Sequence, residues 1–217
     1  MIPAARRGVR TAAVRAHPLA EGVFLANEAP VVGLLGLELG FALHAVDFSL
    51  VAVYALAMKL ESSKFAEGET IPIECVYGGC GGGNVSPDLS WSGAPEGTKS
   101  FALLCHDPDA PTGTGFYHWT MWNIPASATS LSAGAGERGS SAAPHGSAVG
   151  FTDYGEVGYG GPCPPPGPAH HYHFTLYALD LEKLDGLNEY TTGAKLRFMI
   201  RNNTLAEARL TGLYGTS

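Results

Sequence analysis

Residues 58–217 break into short apolar runs separated by clusters of Gly, Pro, Asn and Asp, and this pattern constrains the fold more than any other feature. Such runs between breakers suit the strands of a β-sandwich or barrel. Residues 101–105 form one run and residues 118–124 a second. Residues 172–179, with near alternation, form a third that reads as a central strand. Residues 70–76 and 88–91 suit edge or shorter strands. Residues 194–203 suit a helix capped by Thr191 or Thr192, and residues 205–214 fit either a helix or a closing strand. Residues 132–150, rich in Ser, Ala and Gly, read as a mobile loop.

Composition supports a mainly β fold. Only 15% of the 217 residues are charged, against 29 Gly and 15 Pro, too few helix formers for a bundle. A hydrophobic share of 45% is ample for a packed core and excludes global disorder. A net charge of -7 argues against a nucleic-acid binder, because phosphate backbones are held by Lys and Arg.

The charges divide the chain near Met58. Arg6, Arg7, Arg10 and Arg15 balance Glu21, Glu28, Glu38 and Asp47, so residues 58–217 carry the whole of the net -7, with all four Cys and all three Trp. Three readings of residues 1–57 follow. A spanning helix needs about 20 apolar residues, but Glu38, His44 and Asp47 interrupt this stretch. A signal peptide could end at Ala55-Leu56-Ala57, although its arginines lie far from the apolar run. The third reading, that translation begins at Met58 and residues 1–57 are a mis-called start, carries the most weight.

Two clusters carry chemistry. The first is His106-Asp107-Pro108-Asp109-Ala110-Pro111, where the prolines cannot donate to a sheet ladder and the strand must stop. His118 opens the next strand. If the two strands pair, Asp107 and His118 emerge at one end of the sheet, and the carboxylate can hold the imidazole in one tautomer and favour its protonated form. The bland alternative is two solvated loop residues. The second cluster runs from Tyr159 through Cys163, Pro164, Pro165 and Pro166 to His170-His171-Tyr172-His173. Its prolines force extended backbone, either a stiff wall for a site or a surface linker. Period 2 then puts His170 and Tyr172 on one face, and His171 and His173 on the other. The first pair can bind phosphoryl or carboxylate oxygens.

Other motifs point nowhere strongly. The histidines lack zinc-ligand spacing, so no metal is expected. Gly134 to Gly139 matches G-x-G-x-x-G but follows no strand and opens no helix, and reads as loop. Cys75, Cys80, Cys105 and Cys163 form no C-x-x-C pair. Their even count permits disulfides, but buried free thiols are the expected state.

Together, Asp107-Pro108-Asp109-Ala110-Pro111, His118-Trp119 and residues 161–174 resemble the phosphatidylethanolamine-binding protein family, and more closely its bacterial Raf kinase inhibitor-like branch. The similarity runs from Met58-Lys59-Leu60 to the C-terminus and takes in Asn84-Val85-Ser86-Pro87 and Thr152-Asp153-Tyr154-Gly155. It implies a mainly β, phosphatidylethanolamine-binding-protein-like β-sandwich with a few short helices over residues 58–217. It also implies a small anion pocket at one end of the central sheet. Asp107 and His118 would form one wall, His170 and Tyr172 the other, with Asp109, Pro164 and Pro165 at the rim. The family usually has His-Arg-Tyr where this chain has His170-His171-Tyr172. A permanent charge beneath the pocket is thus lost, and anion affinity is expected to fall or to depend on pH.

The expected function is a binding module for a small anionic ligand, such as phosphate or a phospho-head group. A role as regulator or inhibitor of kinases or proteases is implied only by the resemblance. The alternative is a hydrolase using an Asp107–His118 pair as general base, against which stands the lack of a clear nucleophile or oxyanion-hole motif. No cofactor, metal or nucleic acid is expected. A protein target and a homodimer are left open. The expected location is cytoplasmic, or periplasmic if residues 1–57 are a real export segment.

Overall fold

The computed structural model describes residues 57–216. The three readings of the stretch before Met58 fall outside the described residues. Among the described residues, eight strands form two antiparallel sheets. The smaller sheet has the order β1-β2-β5, from Lys59–Glu61, Leu89–Ser92 and Ser130–Leu131. The larger has the order β6-β4-β3-β7-β8, from Ala148–Val149, Phe116–Pro125, Ser100–Asp107, His170–Leu179 and Thr204–Tyr214. The one α-helix among the described residues, α1, is Gly193–Ile200, and two short 3-10 turns lie at Ile73–Cys75 and Gly78–Cys80. The fold is mainly β, as the apolar runs suggested.

The main core lies between the sheets. Leu60, Leu89, Trp91 and Leu131 from the smaller sheet belong to one buried cluster with Leu103, Trp119, Met121, Phe174 and Leu176 from the larger. A second cluster covers the other face of the larger sheet, where Leu196 and Ile200 of α1 join Ala102, Leu104, Trp122, Tyr177 and Leu179. Strands β3 and the far half of β7 are therefore buried on both faces. Both-face burial explains why β3 reads as a continuous apolar run and not as an alternation. The Thr192 hydroxyl caps α1 by accepting from the Lys195 N–H.

One open alternative is resolved and two local expectations need correction. Residues 205–214, ambiguous in sequence, lie within β8, where they pair along β7 from the Ala206–Ala178 pair to the Tyr214–His170 pair. Residues 70–76 form no strand. Thr70 makes an isolated bridge to Leu213, and the chain then closes the 3-10 turn at Ile73–Cys75, because Pro72 has no N–H for a ladder. Residues 132–150, expected as a loop, are turns and the short β6, with several positions packed into the core. Ala135 is fully buried, the Gly136 N–H bonds the Ser86 hydroxyl at 2.9 Å, and a Cβ at Gly136 would press on Trp119 at 2.8 Å.

Candidate binding site

Strand β3 ends at Asp107, and β4 starts at Phe116, its register partner. β7 lies on the other side of β3 and starts at His170, with His173 opposite His106. Topology alone thus brings Asp107, His118, His170 and Tyr172 to one end of the larger sheet. They line a cavity of about 200 Å³, whose further walls include Pro164, Pro165, Phe116 and Tyr154. Asp109 does not line it.

Asp107 is buried and uses both carboxylate oxygens. Oδ1 accepts from the backbone N–H of Asp109 at 2.8 Å and of Ala110 at 3.1 Å, which turns the Asp-Pro-Asp-Ala-Pro loop away from the sheet. Oδ2 lies 2.8 Å from His170 Nδ1. The expected Asp107–His118 pair is not formed. Instead His118 Nδ1 donates to the Gly160 carbonyl at 2.8 Å, and the Gly160 N–H donates back to the His118 carbonyl at 2.8 Å. A carbonyl only accepts, so Nδ1 carries the proton and Nε2 keeps its lone pair. The loop offers His118 a carbonyl acceptor, while Asp107 is already engaged by His170 and its own turn.

His118 also fails to become the expected cation. Phe116, Tyr154 and Tyr172 crowd its ring, with centroids 4.9, 5.5 and 5.0 Å away. Burial among these rings outweighs the Gly160 carbonyl and the Asp107 charge, and lowers the His118 pKa to about 4. It is a neutral acceptor at pH 7. The Tyr172 hydroxyl is buried and has no hydrogen-bond partner among the protein's own groups. Burial and the negative Asp107 hold its proton on.

The wall of residues 159–163 is positioned from a distance. Asn84, with φ 53°, donates to the Tyr159 carbonyl at 3.2 Å and accepts from the Gly161 N–H at 2.8 Å. Asn tolerates this left-handed backbone better than most residues. The Tyr154 hydroxyl holds the Gly161 carbonyl at 2.9 Å. Gly160 lies so close to the Tyr154 ring that a Cβ there would overlap it. Cys163 is bonded to Cys80, which corrects the expectation of free thiols for that pair. Cys75 and Cys105 are free and buried.

His171 turns away from the cavity, as period 2 requires. Its Nδ1 lies 2.7 Å from Asp109 Oδ2, which also accepts the His171 N–H at 2.8 Å. Asp109 therefore holds the outer side of β7 and not the cavity rim. The residues that sequence reasoning missed are Phe116, Tyr154 and Asn84. The last two lay in stretches noted only for their resemblance. Among the described residues no cluster of three or more His, Cys, Asp and Glu is placed to hold a metal, and no helix is long and apolar enough to cross a membrane.

The mainly β sandwich agrees with the comparisons. The family model described as phosphatidylethanolamine-binding protein matches residues 61–215, and the chain belongs to that family. It is 44% identical over 170 residues to UPF0098 protein YbcL of Escherichia coli strain K12, covering 77% of this chain and 92% of the relative. It is 43% identical over 159 residues to YbhB of the same organism, covering 72% of this chain and 99% of the relative. The crystal structure of E. coli YbcL, described as a new member of the mammalian PEBP family, superposes with a TM-score of 0.71, over 74% of this chain and 99% of that one.

Proposed function

We propose that the chain is a binding module whose cavity takes a small phosphate-type head group together with a proton. The observation that carries this reading is the buried Tyr172 hydroxyl, a donor without an acceptor, beside His118 and the Asp107–His170 pair. An unsatisfied buried donor costs about 1–3 kcal/mol, which a ligand oxygen would recover. His118 Nε2 and Asp107 are acceptors, so a fully ionised oxyanion would meet two lone-pair groups. A proton on the ligand turns one of these contacts into a donated bond, and a proton on His170 would add a donor beside them. Regulation of a kinase or protease would then follow from occupancy of this cavity. The hydrolase reading loses its support, because the Asp107–His118 pair is replaced by Asp107–His170 and His118–Gly160. The Cys80–Cys163 disulfide supports an oxidising compartment, and so the periplasmic expectation over the cytoplasmic one.

Calorimetric titration with inorganic sulfate, at pH 6 and pH 8, tests the reading. Tyr172→Phe should weaken binding at the cavity by about 1.5–3 kcal/mol while the fold survives, the worth of a bond to a charged group. Equal affinity for parent and variant, or no shift of the His118 and His170 ring signals on titration, would overturn it.

A further inference from the structure

The face of the larger sheet that carries α1 holds a second hollow, of about 170 Å³, unrelated to the first cavity. Cross-strand pairing builds it. His106 on β3 stands opposite Tyr117 on β4 and His173 on β7, and Thr175 on β7 stands opposite Arg209 on β8. Arg197 reaches in from α1, its guanidinium 4.7 Å from the centre of the Tyr177 ring. No Asp or Glu lines the hollow.

The charges around it are unbalanced. Arg209 Nε donates to the Thr175 hydroxyl at 3.3 Å, and among the described residues Arg209 has no carboxylate within ion-pair distance. Arg197 has one partner, Glu207, at 3.4 Å, with both side chains half exposed. The other nearby acids are engaged elsewhere. Asp109 holds His171, and Asp153 accepts the Tyr117 N–H at 2.7 Å. His173 feels the result. Burial first, then the positive charges of Arg209, His171 and His106, hold its pKa below the ordinary imidazole value. Residues 58–217 carry 9 basic against 16 acidic side chains, so two arginines and two histidines converging without a lining carboxylate is not the background of this surface.

We propose that this hollow is a second binding site, for a phosphate- or sulfate-type oxyanion held between Arg197 and Arg209 above His106 and His173. The guanidiniums supply donors in a planar fork, which suits tetrahedral oxyanions. An anion there also offsets the like charges of the two guanidiniums. The two sites differ in kind. The cavity at Asp107 is largely apolar and contains a carboxylate, whereas this hollow is mostly polar and cationic, so its affinity should fall steeply with salt.

The test is a titration of the full chain with inorganic sulfate at constant ionic strength, with chloride as the balancing ion. The ring signals of His106 and His173 are followed by NMR beside those of His118 and His170. Sulfate should move the His106 and His173 signals saturably, and chloride should not. Arg209→Gln, and separately Arg197→Gln, should each weaken that response about tenfold, the worth of a charge-assisted contact on an exposed face. Tyr172→Phe should leave it unchanged. Equal shifts with chloride, an unaltered response in Arg209→Gln, or movement of only the His118 and His170 signals would overturn the proposal. Loss of the response at His118 and His170 alone would count against the first cavity and leave this site standing.

Discussion

Asp107 and His170 are 63 residues apart in the chain and share a 2.8 Å bond at the end of the larger sheet. The same carboxylate holds two backbone N–H groups of the following turn. Asp107→Asn keeps the shape and an acceptor for the turn but removes the charge facing His170. The expected loss is about 1.5–3 kcal/mol, since the bond is buried and charge-assisted. Urea unfolding of parent and variant measures it. A loss below about 0.5 kcal/mol would show that the carboxylate is not holding the imidazole.

His118 makes stability depend on acid. Its pKa is about 4 in the folded protein against an ordinary 6.5. Between those values the unfolded chain binds a proton that the folded chain refuses, so stability falls as pH falls. The loss from pH 6.5 to pH 4 should reach about 3 kcal/mol, at 1.36 kcal/mol for each pKa step. Above pH 6.5 this residue contributes no slope. His118→Gln should be flatter than the parent across that window, whatever its absolute stability. Parallel curves would refute the assignment.

Much of this was legible before the structure. The prolines at 108 and 111 fixed where β3 had to stop, and period 2 sorted His170 and Tyr172 from His171. The grouping of the four side chains came through the resemblance, because the strand order β4-β3-β7 that brings them together is not legible in spacing. Hydrogen-bond partners were not legible. Which group His118 bonds depends on a carbonyl at Gly160, set by Asn84 from a distant loop and by Tyr154 a few residues before it. The Cys80–Cys163 pair was hidden for the same reason, since 83 residues separate the two and only the folded loops bring them together. The doubly buried β3 was read correctly as a strand, but nothing in its sequence said that α1 covers its second face.

The two outward and inward histidines should separate in binding. His170 lines the cavity, while His171 bonds Asp109 on the outer side. His170→Ala should weaken sulfate binding at the cavity by about 1.5–3 kcal/mol, and His171→Ala should barely change it. His118 stays neutral at both pH 6 and pH 8, and sulfate keeps its charge over that range, so neither alters the charge balance of the cavity. Equal losses in the two variants would break the link between cavity and ligand.

The disulfide should matter for both stability and the cavity, because Cys163 lines the cavity wall. Bridges that close long loops typically contribute about 2–5 kcal/mol. Cys80→Ser should cost an amount in that range and loosen the proline wall, weakening oxyanion binding. The other two cysteines should behave differently. Burial pushes the Cys75 thiol up to about 11 and Cys105 well above its ordinary value, so neither is a thiolate at pH 8. A thiol reagent should find no reactive cysteine in the folded protein and two after unfolding. Four after unfolding without reductant would mean that the Cys80–Cys163 bond is absent.

Phe174 tests the core directly. It lies on β7, between β3 and β8, is fully buried, and its ring sits 5.6 Å from that of Phe65. It is held in the cluster between the sheets, where a void cannot collapse without moving β3 or β8. Phe174→Ala should therefore cost about 3–5 kcal/mol, the transfer term plus the cavity left behind. Phe198, exposed on α1, is the matched control. Its replacement by Ala should cost no more than about 1 kcal/mol, the worth of its exposed contact with the Arg201 guanidinium 3.7 Å from the ring centre. Thermal or urea unfolding of the two variants decides the point. A cost for Phe174→Ala under about 1 kcal/mol would mean that Phe174 is not part of the core between the sheets.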